Sequence, residues 1–462
     1  MAKLSLTLLL LVGCGGAQLP GEDPSPPLLD TNPDPAVVEV SIEAAVSRAE
    51  YLPGKPAEVW GYRDAGRSGA VVRVPGPMLE AKVGDQIIVH FRNLLPVATT
   101  IHWHGLRLPA IADGSTATQD PVLPGQEYEA RFIANDAGTF WFHPHVKGEE
   151  QIERGLYAPF IVHEAEPPRV DADRTFILDD VKLEATGALS TTTDALDVML
   201  GRQGNVLLVN GVVRPEIEGA PQAEERWRFI DAANGRYFKL RLPGRSFRVM
   251  AWDGGRLAQP YETETLLIAP GERYDVLVVP VTAPGERVTL YTEHYDRGHE
   301  VPDPGPKPLL EVVGSNAEAR PHRPLELSAP VEAALSLSST TVVRRFVLRE
   351  QEDEAGLRFL INEQAWPFNQ PVMVTQGDTE IWELENRSEM DHPFHIHGLF
   401  FEVLSVDGQA PAHRGWKDTL NLPQKTTTRI ALRYETIGMW MFHCHILEHA
   451  ERGMMGDLMI MP

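Results

Sequence analysis

The sequence has 462 residues, which at roughly 150 residues per domain predicts about three domains rather than one. Hydrophobic residues make up 43% and charged residues 23% of the chain, so neither wholesale disorder nor a protein of many membrane spans fits. Acidic residues outnumber basic ones by 65 to 42, and the net charge of -23 argues against nucleic acid and anionic membrane surfaces as partners. The two cysteines, Cys14 and Cys444, lie in very different settings, so no disulfide framework is predicted.

The N-terminus is typical of an export signal. Its apolar run, Leu4 to Val12, is far shorter than the roughly 20 residues that span a bilayer. Small residues before Cys14 resemble a bacterial lipobox, so residues 1–14 are predicted to be a lipoprotein-type signal peptide with Cys14 as the lipidated residue; signal cleavage after Ala17 is the alternative. Residues 15–36 hold six prolines and are predicted to form an extended tether. The chain is therefore expected in the periplasm or on the cell envelope, attached to a membrane only through a lipid.

Short apolar or alternating runs, separated by glycine and proline, continue through the rest of the chain. QIIVHFRN, ERWRFIDAANG and TRIALRY are examples, and such runs predict strands. Proline-rich breaks divide the chain into 37–165, 170–310 and 325–462, each long enough for a β-sandwich of about seven strands. Asn93 and Asn386 end two similar runs, IIVHFRN and TEIWELEN, which suits repeated domains of one type. The sequence thus predicts three all-β domains.

Ten of the 16 histidines fall in four short motifs, HWHG, HPH, HPFHIHG and HCHILEH. A lone histidine on a strand is most often structural, but four paired motifs indicate metal binding. Because residues i and i+2 point to the same face of a strand, each His-x-His pair directs two imidazoles toward one point. Imidazole binds copper, zinc, iron and nickel alike, so the histidines alone do not select the metal.

Cys444 selects copper. A thiolate, two imidazoles and a weak axial thioether are the ligands of a blue-copper site. On a strand, Cys444 points away from the face shared by His443 and His445, so adjacent residues are predicted to bind different metal centres. A buried structural thiol is the alternative. The predicted blue-copper set is Cys444, His392, His449 and Met454.

The four motifs resemble those of the multicopper oxidases, the family of laccases and copper-efflux oxidases, and the resemblance covers residues 37–462. The runs NG at 210–211, DGG at 253–255 and PGERYDVLV resemble family landmarks that bind no copper. The resemblance implies an all-β chain of three consecutive cupredoxin-like Greek-key β-sandwich domains, with four copper ions held by the first and third. The implied ligands are His392, Cys444, His449 and Met454 for type 1 copper, His102 and His395 for type 2, and His104, His143, His145, His397, His443 and His445 for the type 3 pair.

The resemblance also implies an enzyme that takes single electrons from a small-molecule substrate, passes them through Cys444 and reduces dioxygen to two waters. Asp113, in the loop after HWHG, matches a position where the copper-efflux branch carries an acid, and is expected to serve proton transfer; a solvated loop aspartate is the alternative. Glu448, Glu389 and Asp391 are expected either to shape the substrate mouth or to be surface charges. Ala450 stands where some members carry a carboxylate, which argues against a proton route through that position.

Phenols and aromatic amines are the expected substrates, because an axial methionine at position 454 predicts a type 1 copper of modest potential. Oxidation of cuprous ion is the alternative. It is not specifically indicated, because only Met373 lies between residues 324 and 375, where the copper-efflux branch carries a methionine-rich insert. The C-terminal methionines are spaced two apart, as core-facing strand residues are: Met439 with Met441, and Met459 with Met461.

Two further classes use the same fold. Copper nitrite reductases typically have two domains and fewer histidines, and non-catalytic relatives have lost copper ligands. The ten motif histidines and Cys444 therefore disfavour both classes. Nothing in the sequence requires more than a monomer.

Overall fold

The computed structural model describes residues 26–190, 192–299, 301–319, 335–354 and 356–462. Cys14 and the first part of the predicted tether lie outside these residues. In the described part, the Leu28 backbone N–H donates to the Met78 carbonyl at 2.8 Å, and the Leu28 side chain is only 7% exposed. The prediction of a solvated tether as far as residue 36 therefore does not hold at Leu28, because this apolar side chain joins the core, whereas residues 33–36 are exposed.

The first domain contains β1 (Val37–Leu52), β2 (Lys55–Asp64), β3 (Leu79–Lys82), β4 (Gln86–Asn93), β5 (His102–His104), β6 (Glu127–Ile133), β7 (Gly138–His143) and β8 (Ala158–His163). The strands form two four-stranded sheets, in the orders β2-β1-β4-β6 and β3-β8-β7-β5. A 3-10 turn, Ala110–Ala112, and helix α1, Gly148–Gln151, lie in the connections. Buried side chains alternate along the first half of β1, as expected for a strand with one face toward a core.

The middle domain contains β9 (Ala172–Val181), β10 (Val206–Val209), β11 (Glu216–Gly219), β12 (Glu225–Asp231), β13 (Phe238–Arg241), β14 (Phe247–Trp252), β15 (Gly255–Thr263), β16 (Thr265–Ile268), β17 (Arg273–Val278), β18 (Arg287–Glu293), β19 (Lys307–Gly314) and helix α2 (Ala195–Leu200). Its sheets have the orders β10-β9-β12-β17-β14-β15 and β11-β19-β18-β13-β16. The predicted domain end at residue 310 falls inside β19. This strand tolerates Pro308 because the ladder shifts register opposite it, at Tyr291.

The third domain contains β20 (Val342–Asp353), β21 (Gly356–Ile361), β22 (Val372–Thr375), β23 (Thr379–Asn386), β24 (His392–Ile396), β25 (Phe401–Val406), β26 (Trp416–Lys417), β27 (Thr419–Leu422), β28 (Thr427–Arg433), β29 (Gly438–Cys444), β30 (Met455–Met461) and helix α3 (Leu447–Glu451). Its sheets have the orders β21-β20-β23-β28-β25-β26 and β22-β30-β29-β24-β27. The α-helices of the described residues are 4 to 6 residues long. The prediction of an all-β fold is confirmed.

The three domains repeat one arrangement. The first strand of each lies parallel to a later strand of the same sheet: β1 to β4, β9 to β12, and β20 to β23. Asn93 and Asn386 end equivalent strands, and each amide nitrogen donates to the carbonyl four residues further on, at 2.8 Å. Each side-chain oxygen accepts the backbone N–H two residues further on. The similar sequence runs therefore mark the same turn in two copies of one domain type.

The first and third domains share a single apolar core. One cluster of buried side chains includes Phe142 and Trp103 of the first domain and Phe442 and Trp382 of the third. Most of the middle domain packs around a separate cluster that contains Trp227 and Phe229. The interface between the first and third domains is therefore continuous with both of their interiors. Among the described residues, no helix is long and apolar enough to cross a membrane.

Candidate metal centres

Eight histidines meet at the interface of the first and third domains. Paired strands bring them together: His102 lies opposite His143 in the β5–β7 ladder, and His395 lies opposite His443 in the β24–β29 ladder. Rings from the two domains then stack, with centroids 4.0 Å apart for His102 and His397. All except the half-buried His145 are buried. The eight are His102, His104, His143, His145, His395, His397, His443 and His445, all of the residues predicted to hold type 2 and type 3 copper.

Three of these imidazoles converge on one point. His443 Nε2 lies 3.3 Å from His145 Nε2 and 3.0 Å from His397 Nε2. His104 stacks on His395 at 3.9 Å on the other side of the cluster, and the ring of His445 lies 4.9 Å from that of His104. The two members of the HCH motif therefore face different parts of one histidine cluster.

Several other ring nitrogens of this cluster are buried and lack a hydrogen-bond partner among the described residues. Within the described part of the chain, no hydrogen-bond partner meets His102 Nε2, His143 Nε2 or His395 Nε2, although all three atoms are buried. The opposite nitrogens of the same rings donate to the carbonyls of Asp113, Pro144 and Asp418, at 2.8, 3.0 and 3.0 Å. Unpartnered buried nitrogens are costly unless a cation binds them, and a second N–H held by a carbonyl is typical of metal-bound histidine. The donor set therefore fits bound metal.

His104 presents its other nitrogen to the cluster. The Thr419 hydroxyl donates to Asp418 Oδ1 at 2.8 Å, so its oxygen accepts from His104 Nε2, 3.1 Å away. This leaves the lone pair on His104 Nδ1, which is buried and meets no hydrogen-bond partner in the residues that the structure describes. Burial lowers the pKa of His104 well below its usual value and that of His443 to about 3. These rings are therefore neutral at physiological pH, the form that binds a metal ion.

Asp113 lies against this cluster and is 1% exposed. Its Oδ2 accepts from His397 Nδ1 at 3.0 Å, and its Oδ1 lies 3.3 Å from His102 Nδ1. Although burial raises the pKa of Asp113, His397 and His102 outweigh burial and hold the pKa well below its usual range. Asp113 is thus not a solvated loop residue. It is an ionised group that fixes the orientation of His397.

Cys444, His392 and His449 form a second, fully buried group. Cys444 Sγ lies 3.5 Å from His392 Nδ1 and 3.8 Å from His449 Nδ1, and the two nitrogens lie 3.2 Å apart. His449 Nε2 donates to the carbonyl of Met199 on α2 at 3.2 Å, which leaves the lone pair on Nδ1. Burial raises the pKa of the Cys444 thiol well above its usual value, so its thiolate requires a nearby cation. Two imidazole lone pairs and a sulfur directed at one point are the donor set of a blue-copper site.

Met454, the predicted axial ligand, is also fully buried and held next to Cys444. The Met454 backbone N–H donates to the His449 carbonyl at 3.0 Å, and the Cys444 N–H donates to the Met454 carbonyl at 3.0 Å. His449 lies on the short helix α3, and the Phe359 ring stacks on its imidazole at 3.7 Å. The loop between β29 and β30 thus folds back so that its two ends meet at Cys444.

Strand alternation separates the two centres as predicted. Cys444 belongs to the second group, whereas His443 and His445 belong to the eight-histidine cluster. One peptide bond joins Cys444 to His443, and His443 Nδ1 also donates to the Cys444 carbonyl at 2.9 Å. The two centres are therefore connected through adjacent residues of one strand.

Sequence reasoning missed a buried charge pair beside the cluster. Asp418 Oδ1 lies 3.4 Å from His104 Nε2 and also 3.4 Å from His395 Nδ1. Arg273 of the middle domain binds both oxygens of Asp418, each at 2.6 Å. The middle domain is expected to bind no copper, but through Arg273 it positions two histidines of the cluster. In the sequence, Asp418 stands between Lys417 and Thr419, and this local pattern has no spacing typical of metal ligands. The sequence therefore does not indicate the role of Asp418.

The three acidic residues near the second group do not share one role. Glu448 is fully buried and accepts from the Arg202 backbone N–H at 2.9 Å and from Asn234 Nδ2 at 3.0 Å, so it joins the middle and third domains. Asp391 is 2% exposed and is also a buried acceptor. Glu389 is exposed and pairs with Lys425. Of these three residues, only Glu389 matches the alternative that they are surface charges.

A cavity of about 220 Å³ reaches the eight-histidine cluster from the surface. His143, His145 and His443 are among its lining residues, together with Glu451 and Met441. Burial raises the pKa of Glu451, whose carboxylate accepts the Gly148 N–H at 2.7 Å. The cluster is therefore accessible to a small molecule although its rings are mostly buried.

Three cupredoxin-like sandwiches that enclose a histidine cluster and a Cys-His₂ group define a copper protein. The chain matches three family models, each described as multicopper oxidase, over residues 55–167, 179–292 and 338–462. The multicopper oxidase mco of Staphylococcus epidermidis is 30% identical over 402 residues, which cover 83% of this chain and 82% of that protein. The chain therefore belongs to the multicopper oxidase family and is a copper-binding oxidoreductase that uses dioxygen.

Solved structures show the same relationship. A multicopper oxidase from Campylobacter jejuni, titled a metallo-oxidase, is similar with a TM-score of 0.83 and 27% identity, covering 95% of this chain and 94% of that chain. A laccase-like multi-copper oxidase, CueO, from the lignin-degrading bacterium Ochrobactrum sp. is similar with a TM-score of 0.81 and 29% identity, covering 95% of this chain and 100% of that chain. The expected fold of three cupredoxin-like domains is confirmed.

Proposed function

We propose that the chain is a laccase-like oxidase, which couples one-electron oxidation of phenols and aromatic amines to reduction of dioxygen to water. The observation that carries the proposal is the pair of buried donor groups joined by one peptide bond at Cys444. Copper bound there would accept single electrons at the Cys444 group and deliver four to dioxygen at the histidine cluster. We assign His392, Cys444, His449 and Met454 to type 1 copper, His102 and His395 to type 2, and the other six histidines of the cluster to a type 3 pair, four ions in all.

The residues of the chain prepare these sites before any metal binds. Asp113 accepts a hydrogen bond from the Nδ1–H of His397, so the Nε2 lone pair of His397 faces the cluster. The Asp418 carbonyl does the same for His395. Fixed tautomers and fixed rings reduce the reorganisation needed when the oxidation state changes. The cavity lined by His143 and His145 is the proposed route for dioxygen.

Oxygen uptake with a simple phenol tests the proposal. We expect four phenol molecules to be oxidised for each dioxygen consumed, without release of hydrogen peroxide. The copper-loaded protein should also show the intense blue absorption of a cysteine-bound cupric ion. Absence of oxygen uptake with every phenol and aromatic amine tried would reject the laccase-like assignment.

Oxidation of cuprous ion is a second candidate function, because methionines line up on the outer face of the third domain. Met373 pairs with Met459, and Met459 pairs with Met439, across β22, β30 and β29. Within this row, Met373 is 51% exposed, and Met459 and Met439 are half-buried; Met461, outside the row, is 38% exposed. The prediction that the C-terminal methionines face the core fits Met441, which is fully buried, and is wrong for Met461, because the alternate residues of β30 point inward. Thioethers favour cuprous ion, and the Campylobacter relative is titled a metallo-oxidase.

A substitution in the middle of this row separates the two functions. If cuprous ion is the donor, Met459→Leu should raise the KM for cuprous ion and leave phenol oxidation unchanged. Met461→Leu is the matched control, because Met461 lies opposite Thr375 rather than a methionine. Equal cuprous oxidation by both variants and the wild type would remove the argument for this candidate.

We propose further that the chain is an exported lipoprotein, anchored through Cys14, which acts as a monomer outside the cytoplasm. The lipobox-like sequence supports the anchor, and the presence of every proposed ligand in one chain supports the monomer. Radiolabelled palmitate should be incorporated by the wild-type protein in a bacterial host and not by Cys14→Ala. Equal incorporation by both proteins would exclude lipidation at Cys14. Sedimentation of the soluble part should give the mass of one chain.

A further inference from the structure

The middle domain contains a second cavity, of about 380 Å³, that none of the metal-site residues lines. Tyr237, Tyr295, Arg297 and Lys307 are among its walls, and Pro302 also lines it. Its volume lies within the range of about 300–1,000 Å³ that is usual for small-molecule sites. The cavity is therefore large enough for a substituted benzene ring.

One side of this cavity is aromatic. The rings of Tyr237 and Tyr295 stack with centroids 5.6 Å apart and an interplanar angle of 26°. Tyr295 is half-buried, whereas Tyr237 is 7% exposed and belongs to the same apolar cluster as Cys444. A half-buried ring beside a buried one offers an aromatic ligand a surface for offset or edge-to-face packing.

A buried arginine lies beside this aromatic wall. Arg297 is 2% exposed, and its guanidinium carbon lies 5.5 Å from the centre of the Tyr237 ring. Its Nη1 donates to the Gly235 carbonyl at 2.5 Å, but its Nη2 is buried and has no hydrogen-bond partner among the described residues. Burial lowers the pKa of Arg297 to about 10, so the group stays charged at neutral pH. Arg297 also lines the cavity, and an unpartnered buried guanidinium nitrogen is costly unless an anionic group lies near it.

The other charged groups of the cavity leave an excess of positive charge. Lys307 is half-buried, and burial and the neighbouring Arg236 lower its pKa. Glu293 lines the same cavity, but its carboxylate is engaged by Arg241 at 3.1 Å. Arg236 is paired with Asp180, whereas Lys307 and Arg297 form no ion pair among the described residues. In a chain with a net charge of -23, these two cations make the cavity favourable for an anion.

The aromatic wall is hydrogen-bonded to the chain segment that carries a predicted copper ligand. The Tyr295 hydroxyl donates to Asp391 Oδ2 at 2.6 Å, and Asp391 directly precedes His392. The Tyr237 hydroxyl donates to Asn421 Oδ1 at 2.9 Å, and Asn421 Nδ2 donates to Asp391 Oδ2 at 2.7 Å. A ring bound against Tyr295 would therefore be separated from His392 by one layer of hydrogen-bonded side chains.

We propose that this cavity binds a phenol that carries a carboxylate, and that such a phenol is the reducing substrate of the oxidase. The ring packs against Tyr295 and Tyr237, and the carboxylate is held by Lys307 and Arg297. The inference rests on the proposed laccase-like function. Each bound phenol loses one electron and its phenolic proton and becomes a phenoxyl radical. Four such losses supply the four electrons and four protons that convert one dioxygen into two waters.

Binding is measured first, with a ligand that the enzyme does not oxidise. Calorimetric titration of the copper-loaded full chain with 4-methoxybenzoate should show one site, and the neutral 4-methoxybenzyl alcohol should bind about tenfold or more weakly. Lys307→Gln should weaken 4-methoxybenzoate binding by about five- to tenfold, because one of the charges facing the carboxylate is lost. Lys82→Gln, an exposed lysine of the first domain, is the matched control and should leave the Kd unchanged.

Kinetics then show whether the bound molecule is the substrate. Lys307→Gln should raise the KM for 4-hydroxy-3-methoxybenzoate by the factor seen for the Kd, and should leave the KM for the corresponding neutral benzyl alcohol unchanged. Turnover of neutral phenols without any binding of 4-methoxybenzoate would overturn this inference and leave the proposed function intact. Binding that Lys307→Gln does not weaken, or a weaker Kd with an unchanged KM for the acid, would equally overturn it.

Discussion

Cys444 is the residue on which the electron path depends. Cys444→Ser replaces a soft thiolate with a hydroxyl that does not ionise at neutral pH, so the Cys-His₂ group should lose its blue-copper character. We expect the blue absorption and the oxidation of phenols to be abolished together, while the copper held by the eight-histidine cluster is retained. Turnover that survives in a variant without blue absorption would reject the path through Cys444.

Asp113 is expected to matter through His397 rather than as a ligand. Asp113→Asn keeps the shape of the side chain but removes the charge that His102 and His397 face. Loss of such an outer partner typically costs about 10–100-fold in metal affinity or activity, so we expect a fall of that size in kcat for oxygen reduction.

The matched control for this change is Asp120→Asn, an exposed residue of the same loop region, which should behave as the wild type. The blue absorption should be unchanged in both variants, because Asp113 does not contact the Cys444 group. An Asp113→Asn protein with normal kcat would show that His397 does not need a charged partner.

At the scale of residues, the sequence predicted the candidate metal ligands but not the residues that hold them in position. Histidine pairs and the Cys444 to Met454 spacing are local patterns, and strand alternation converts them into geometry. Asp418 and Glu448 have no such pattern. Asp418 acts through Arg273, which lies 145 residues away in the chain. Glu448 is buried because the middle domain covers it, which no local pattern reveals.

At the scale of elements, the turn between β16 and β17 supports the cluster from the middle domain. Gly271 in this turn has a φ of +86°, and a Cβ there would lie 2.8 Å from the His445 ring. Gly271→Ala should therefore displace His445 and reduce the copper held by the histidine cluster, while the blue absorption persists. Copper analysis combined with visible spectroscopy measures both effects.

Gly285→Ala provides the control for backbone strain. Gly285 has a φ of +73° and open space at the Cβ position, so alanine there costs about 1–2 kcal/mol of strain without touching a ligand. Its copper content should equal that of the wild type. Equal loss of copper from both variants would mean that general destabilisation, rather than pressure on His445, removes the metal.

The strands themselves were largely predictable, because QIIVHFRN, ERWRFIDAANG and TRIALRY alternate or stay apolar over the lengths of β4, β12 and β28. The failures have local physical causes. Leu28 follows prolines that suggested a solvated tether, yet its own side chain is buried. β19 contains Pro308, which suggested a linker, yet a register shift accommodates it. The composition of a segment does not show which part of the protein it packs against.

At the scale of the whole molecule, the Arg273–Asp418 pair ties the middle domain to the metal cluster. Arg273→Gln leaves a buried carboxylate without its bidentate partner, and breaking a buried pair in this way typically costs about 3–5 kcal/mol. We expect a markedly lower Tm and reduced copper retention by the cluster. Thermal unfolding followed by circular dichroism, with copper analysis of the same samples, measures both.

Arg287→Gln is the matched control, since Arg287 pairs with Glu216 and Glu311 on the surface of the same domain. Water screens an exposed pair, so its Tm should stay close to that of the wild type. A Tm for Arg273→Gln that equals that of Arg287→Gln would show that the middle domain does not stabilise the cluster through this pair.

The division into three β domains followed from length and pattern, whereas the way in which the domains share the sites did not. One apolar core spans the first and third domains, and helix α2 of the middle domain reaches His449 through the Met199 carbonyl. These contacts join residues that are hundreds of positions apart. Only the assembled chain shows that the middle domain takes part in both centres.

The copper content of the purified, copper-loaded protein tests the central claim most directly, that one chain holds a Cys444 centre and a separate eight-histidine cluster. Mass-spectrometric metal analysis should give four copper ions per chain for the wild type and three for Cys444→Ser, with the missing ion accounting for the lost blue absorption. A wild-type content of one or two ions, or an unchanged content in Cys444→Ser, would contradict the assignment of the two centres.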